Sequence, residues 1–298
     1  MNMENDHLEK LKKMLENGEI DQKTYDDITE RWGNASNTAT ETTHEKKENS
    51  ERQRSGKVRI SGSGNLSDIY SEELHVSGSA HINGFVDSDV ISISGSAKVS
   101  GDLKCNEEFE VSGSVAIAGD IDGKAIRFSG SLTGNSLKCK TLDVSGRVKI
   151  LKDILAEQIE VSGNISSEDI NAKIQHLSGA VRTGNVTGEE IRISGKIEAN
   201  DVVCKRFEME IYGSKSEMKK LKAEAVEIKY GHGRFSGFFQ RNVNIDEINC
   251  RRAFLQGVIS KSIRGDEIIV GEGSEIEYAE GRIIKLEGGT VKEKKIVP

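Results

Sequence analysis

The sequence predicts an all-β fold, a single-stranded parallel β-solenoid of stacked coils preceded by a small α-helical hairpin. Three observations carry the prediction. An apolar-Ser-Gly triplet recurs nine times at nearly constant spacing, apolar and polar residues alternate on either side of it, and Gly occurs 31 times against a single Pro. Recurring glycines without a Gly-x-y period mark turns, not collagen, and alternation broken by turns marks short strands.

Residues 1-33 read as two short helices. Asp6 caps the first with Glu9 three residues on, Leu8, Leu11 and Leu15 recur at helical spacing, and Asn17-Gly18 ends it. Asp21 caps the second, Tyr25, Ile28 and Trp32 form its apolar stripe, and Gly33 stops it. The pattern resembles the short helical-hairpin modules that serve bacterial proteins as oligomerisation units. From Asn34 to Ser55 no aliphatic side chain is larger than Ala. Such a segment cannot bury enough surface to offset its ordering entropy, so 34-55 is expected to be a disordered linker.

The remaining 56-298 is the repeat. The triplet stands at Ile60-Ser61-Gly62, Val76-Ser77-Gly78, Ile93-Ser94-Gly95, Val111-Ser112-Gly113, Phe128-Ser129-Gly130, Val144-Ser145-Gly146, Val161-Ser162-Gly163, Leu177-Ser178-Gly179 and Ile193-Ser194-Gly195. The intervals run from 16 to 18 residues. Counted back from most of these glycines, apolar residues lie two, four and nine positions before, and a small residue seven before. Leu137, Cys139, Leu142 and Val144 fill those slots ahead of Gly146. The frame continues without the Ser-Gly spelling through Met209, Val226-Glu227-Ile228, Ala253-Phe254-Leu255, Ile268-Ile269-Val270 and Ile284-Lys285-Leu286. That makes about 14 coils of about 17 residues, each expected to hold three short strands. One insertion, at about 231-242, interrupts them.

The units Val76-Ser77-Gly78-Ser79-Ala80-His81-Ile82-Asn83-Gly84 and Ile93-Ser94-Gly95-Ser96-Ala97-Lys98-Val99-Ser100-Gly101 resemble the bactofilins, polymer-forming bacterial cytoskeletal proteins. The resemblance spans Val58 to Ser194 and implies a right-handed parallel β-helix that forms homopolymers and positions client proteins at the inner face of the cell membrane. This chain departs from the family in its length, in having only Pro298, and in opening with a helical hairpin. An adhesin-like bacterial β-solenoid, a binding module that does not polymerise, is the competing resemblance.

Charge and composition narrow the function further. Lys plus Arg number 42 against 49 Asp plus Glu, a net charge of -7 without long runs of one sign, so nucleic acid is not an expected partner. Residues Met1 to Asp6 lack the basic start and apolar core of a secretory signal, and no apolar run reaches membrane-spanning length, so the expected compartment is the cytoplasm. Cys105, Cys139, Cys204 and Cys250 form no C-x-x-C pair and are expected to fill the core; neither a metal nor a cofactor is expected.

Enzyme signatures are weak. Glu107-Glu108 and Glu189-Glu190 are adjacent carboxylates, which a strand sends to opposite faces. His232 lies in the insertion, where hexapeptide-type acyltransferases, the distant alternative, carry a catalytic His, yet their strict hexad is missing here. His75, His81 and His176 fall at outward positions. The run Gly231-His232-Gly233-Arg234-Phe235-Ser236-Gly237 lacks the Gly-Lys-Ser/Thr ending of a phosphate loop. The expected function is therefore non-enzymatic. Two surfaces stand out: the rod ends, with Val58 and Ile60 at one and Ile284 and Leu286 at the other, where unpaired backbone invites self-association; and Phe235, Phe238 and Phe239, which either pack on the rod's flank or dock a partner.

Overall fold

A computed structural model describes residues 55-213, 215-231 and 243-298. Every regular element among them is a strand, 26 in all from Ser55 to Ile296, joined in one sheet. The expected helical hairpin, most of the linker, His232, Phe235, Phe238 and Phe239 lie outside the described residues.

Every strand pair between neighbouring coils is parallel, one isolated antiparallel bridge between Gly271 and Gly288 aside, and the pairing turns the sequence frame into straight columns. One inward column runs Ile60, Val76, Ile93, Val111, Phe128, Val144, Val161, Leu177, Ile193, Met209, Ile228, Leu255, Val270, Leu286. Its neighbour on the same face runs Val58, Leu74, Ile91, Phe109, Ile126, Leu142, Ile159, Gln175, Ile191, Phe207, Val226, Ala253, Ile268, Ile284. These are the slots two and four before the glycine, and they define the 14 coils. Interior members such as Ile91 and Val144 are fully buried, because each is covered by like side chains in the coils above and below. Phe109 and Phe128 pack edge to face in this interior, their ring centroids 5.5 Å apart.

The expected three short strands are present in two coils, as Ser131–Gly134, Leu137–Lys138 and Thr141–Val144 and as Ala180–Arg182, Asn185–Thr187 and Glu190–Ile193, and elsewhere they merge. In the early coils one strand of eight residues, as in Ile69–Val76, bends across a corner, and one of four, as in Ser79–Ile82, forms the third face. Later, Ser216–Tyr230 spans 15 residues without a break. The small column lets the backbone bend at the corner while pairing continues: Ser71, Ser88, Cys105 and Gly123 stack there, and farther on Ala156 on Ala172, Ala223 on Cys250 and Gly265 on Gly281. Buried serines in this column satisfy one another, Ser71 Oγ lying 2.7 Å from Ser88 Oγ.

The Ser-Gly corner explains the triplet. Ser77 N–H and Gly78 N–H both donate to the Ile60 carbonyl of the preceding coil, at 2.9 and 3.2 Å, and the same pair of hydrogen bonds recurs from Ser178 and Gly179 to Val161. That turn brings successive glycines so close that a Cβ on Gly78, Gly95, Gly113, Gly130, Gly146, Gly163, Gly179 or Gly195 would collide with the carbonyl of the glycine one coil earlier. None of these has a positive φ. Glycine is required there by close approach, not by backbone conformation. At another corner aspartates act as caps: Asp68 Oδ1 accepts from Phe85 N–H at 3.1 Å, and Asp102 Oδ1 from Asp120 N–H at 2.8 Å.

Candidate functional site

The four residues expected at the rod ends are the first and last members of two adjacent columns, Val58 and Ile284 in one, Ile60 and Leu286 in the other. Val58, Ile60 and Ile284 are half-buried against the core. Leu286 keeps 44% of its surface exposed. A terminal residue is covered from one side only, so each end of the described rod presents an apolar layer together with a strand edge.

Two further members of these layers were not expected from the sequence. Leu66 lies four residues after Gly62, the slot that Ile82 holds after Gly78, so its signal was present. Val291 was hidden because the turn after Leu286 is one residue shorter than the turn after Val76, which breaks the count. Both are half-buried against the core. The last strand, Thr290–Ile296, also carries two misfits. Lys294 pairs with Ala279, which pairs with Ile263, so a cation stands in an apolar column. Ile296 pairs with Gly281, which pairs with Gly265, so a large side chain stands in the small column. Both are exposed.

The outer faces are laced by ion pairs between coils. Lys57 meets Glu73 at 2.8 Å, Arg182 meets Glu198 at 2.7 Å, and Lys295 meets Glu280 at 2.8 Å. Hydrogen bonds from Arg182 and Lys196 hold the Glu198 carboxyl down to about 2, and Lys57 with His75 lowers that of Glu73. These groups lie in solvent, which screens them.

Among the described residues, those weighed for catalysis are not assembled. Glu108 is bound to Arg127, Glu189 to Lys205 and Glu190 to Arg192. Strand alternation does not govern Glu107-Glu108 after all, because the register shifts between Cys105 and Glu108. His75 pairs with Glu73 at 3.1 Å, and His75, His81 and His176 lie on outward positions, half-buried. All four cysteines fall in or beside the small column, and burial pushes the Cys105 thiol up to about 11 and those of Cys139, Cys204 and Cys250 up to about 12. They are held as thiols, the unreactive form. Among the described residues no group of three or more His, Cys, Asp or Glu could hold a metal, and no helix is long and apolar enough to cross a membrane.

Shallow troughs of 520, 480 and 370 Å³ open between outward side chains. The first has Cys105 and Cys139 beneath Lys104, Lys124, Lys138 and Lys140; the second centres on Ala225 between Arg206, Arg252 and Phe254. In the first, burial holds both thiols protonated. The terminal layers are thus the arrangement with a defined physical consequence. Comparison with protein-family models, with curated proteins and with solved structures finds no match to this chain.

Proposed function

We propose that this protein is a bactofilin-like scaffold, a non-enzymatic rod that self-assembles end to end and positions partner proteins in the cytoplasm, at the inner face of the cell membrane. The observation that carries the reading is the pair of apolar layers, Val58, Ile60 and Leu66 in the first described coil and Ile284, Leu286 and Val291 in the last, all half-buried or exposed while their interior equivalents are sealed. Stacking a further coil on either layer would remove that surface from water and pair its strand edge. Purified protein viewed by negative-stain microscopy without nucleotide should show filaments much longer than the about 65 Å that 14 coils span at strand spacing. Single rods at every concentration tested would overturn the proposal.

A non-polymerising binding module is the second reading, and one observation favours it. Lys294 in an apolar column obstructs the layer on which another coil would have to close.

A further inference from the structure

We propose that the groove lined by Lys104, Lys124, Lys138 and Lys140 is a docking site for an acidic segment of a client protein, a run of four carboxylates followed by an apolar residue. The inference rests on the scaffold reading for the existence of clients, and it is independent of how rods assemble.

The groove is a product of the small column. Cys105, Gly123, Cys139 and Ala156 turn inward at a corner, and the residues before and after each turn outward, so two rails run along the rod with small residues between them. One rail is Lys104, Asp122, Lys138 and Leu155, joined in register by strand pairing. The other holds Lys124, Lys140 and Glu157. Lys140 N–H donates to the Lys124 carbonyl and Glu157 N–H to the Lys140 carbonyl, both at 3.0 Å. The trough between the rails measures 520 Å³.

Its charge is not neutralised from within. Among the described residues no carboxylate forms an ion pair with any of the four lysines, although Asp122 stands between Lys104 and Lys138. Farther along the rod Arg182, Arg192, Lys196, Lys205, Arg206 and Lys215 are each paired with a glutamate. All four groove lysines are exposed, and set against Asp122 and Glu157 they leave the groove positive. Lys124 and Lys140 are neighbours on adjacent coils, a like-charge placement that costs the free protein and that a bound anion relieves. At the end of the first rail Leu155, beside Lys138, keeps 46% of its surface exposed. A fitting ligand therefore brings several carboxylates and one apolar group.

The spacing specifies their order. Coils step about 4.8 Å, and an extended peptide advances about 3.3 Å per residue with side chains alternating between two sides. A peptide running along the groove from Lys104 on the first rail meets Lys124 on the second, then Lys138, Lys140 and Leu155 in the same alternation. Four residues carry it about 13 Å while three coil steps cover about 14 Å, so the two repeats stay matched over that length.

Other polyanions suit the groove less well. Sites for single-stranded nucleic acid stack bases on aromatic rings and use arginine, and neither lines these rails. A lipid surface is planar and would press Asp122 and Glu157 against its phosphates. A narrow peptide lies between the rails with its carboxylates turned toward the lysines.

The test is fluorescence anisotropy of the full-length protein with a fluorescein-labelled Gly-Gly-Glu-Glu-Glu-Glu-Leu-Gly-Gly peptide at low salt. Binding should saturate at one peptide per chain, fall as salt rises, and weaken about threefold when Ser replaces the peptide's Leu. Lys138→Glu with Lys140→Glu should weaken it about tenfold or more, and Lys138→Arg with Lys140→Arg should preserve it. Lys220→Glu with Lys222→Glu, an equal change of charge on exposed lysines outside the groove, should leave it within about twofold. All these substitutions fall on exposed side chains and should keep the β circular dichroism of wild type. No saturable binding, or equal weakening by the two glutamate pairs, would overturn the site, and equal affinity for the Leu and Ser peptides would take Leu155 out of it. Oligothymidylate or phosphatidylglycerol vesicles held through Lys138 and Lys140, with no binding of the peptide, would replace the acidic client by nucleic acid or by a membrane surface. Filaments without peptide binding would overturn the groove and leave the scaffold standing. Peptide binding by rods that never form filaments would overturn end-to-end assembly and leave the groove.

Discussion

The carbonyl oxygen of Gly130 occupies the place where a Cβ on Gly146 would stand. Because Gly146 does not have a positive φ, alanine is conformationally permitted there and the obstacle is purely steric. Gly146→Ala should cost about 1–3 kcal/mol, the range for forcing a methyl into filled space. Gly62→Ala, with open space at its Cβ, should stay within about 0.5 kcal/mol in dilute protein yet weaken assembly. Hydrogen exchange of the Ser145 to Gly163 amides reads the first effect, and sedimentation reads the second. Equal destabilisation by the two substitutions would remove the steric account of the triplet.

Gln175 tests the one polar member of its column. It stands between Ile159 and Ile191, fully buried, with Nε2 donating to the Thr187 carbonyl at 2.8 Å and the Ala172 carbonyl at 3.1 Å, while Oε1 has no partner. Gln175→Ala should cost about 2–4 kcal/mol through the lost bonds and the cavity. Gln175→Leu restores volume and should cost less, about 1–2 kcal/mol, by leaving the carbonyls unmet. A long repeat array need not unfold in one step, so protection of the coils around 160–190 is the proper measure. If Gln175→Leu gains protection over wild type, the orphaned oxygen outweighs both hydrogen bonds.

The thiols make a prediction about pH. Burial raises all four from the ordinary value of 9.0 to about 11 or 12. Between those values the unfolded chain has lost protons that the folded one keeps, so the contribution is complete below about pH 9 and is lost as pH rises toward 11 and 12. At pH 8 a disulfide reagent should label the folded protein slowly, with the half-buried Cys250 first, and all four rapidly in denaturant. Fast labelling of Cys105 or Cys139 in the folded state would mean that the small column opens.

Much of this architecture was legible because one coil repeats one steric problem. The Ser-Gly corner recurs with an apolar residue before it each time, so Val144 and Val161 could be placed on one column from spacing alone. The later coils keep the alternation, Val226 with Ile228 and Ile268 with Val270, after the corner changes. Strand number was less legible, since nothing in a run such as Ser216 to Tyr230 says whether pairing survives the bend at Ala223. Gln175 sat in a slot the frame marked as inward, but an amide there becomes intelligible only with the Ala172 and Thr187 carbonyls in view. At the ends, Val58, Ile60, Ile284 and Leu286 followed from the frame, whereas Lys294 and Ile296 needed the register with Ala279 and Gly281, because the shortened turn after Leu286 shifts the count.

The last prediction concerns charge at the two terminal layers. Ile60 and Leu286 are each packed from one side, so a lysine there can turn its ammonium toward water and leave most of the fold intact. At Val144, sealed between Phe128 and Val161, the same change would bury the charge and break the coil. Ile60→Lys and Leu286→Lys should therefore retain the β circular dichroism and thermal transition of wild type while assemblies give way to single rods in sedimentation velocity. Val144→Lys should lose the fold. If both single variants sediment like wild type, the ends carry no assembly, and any self-association belongs to the sides of the rod or to residues 1-54.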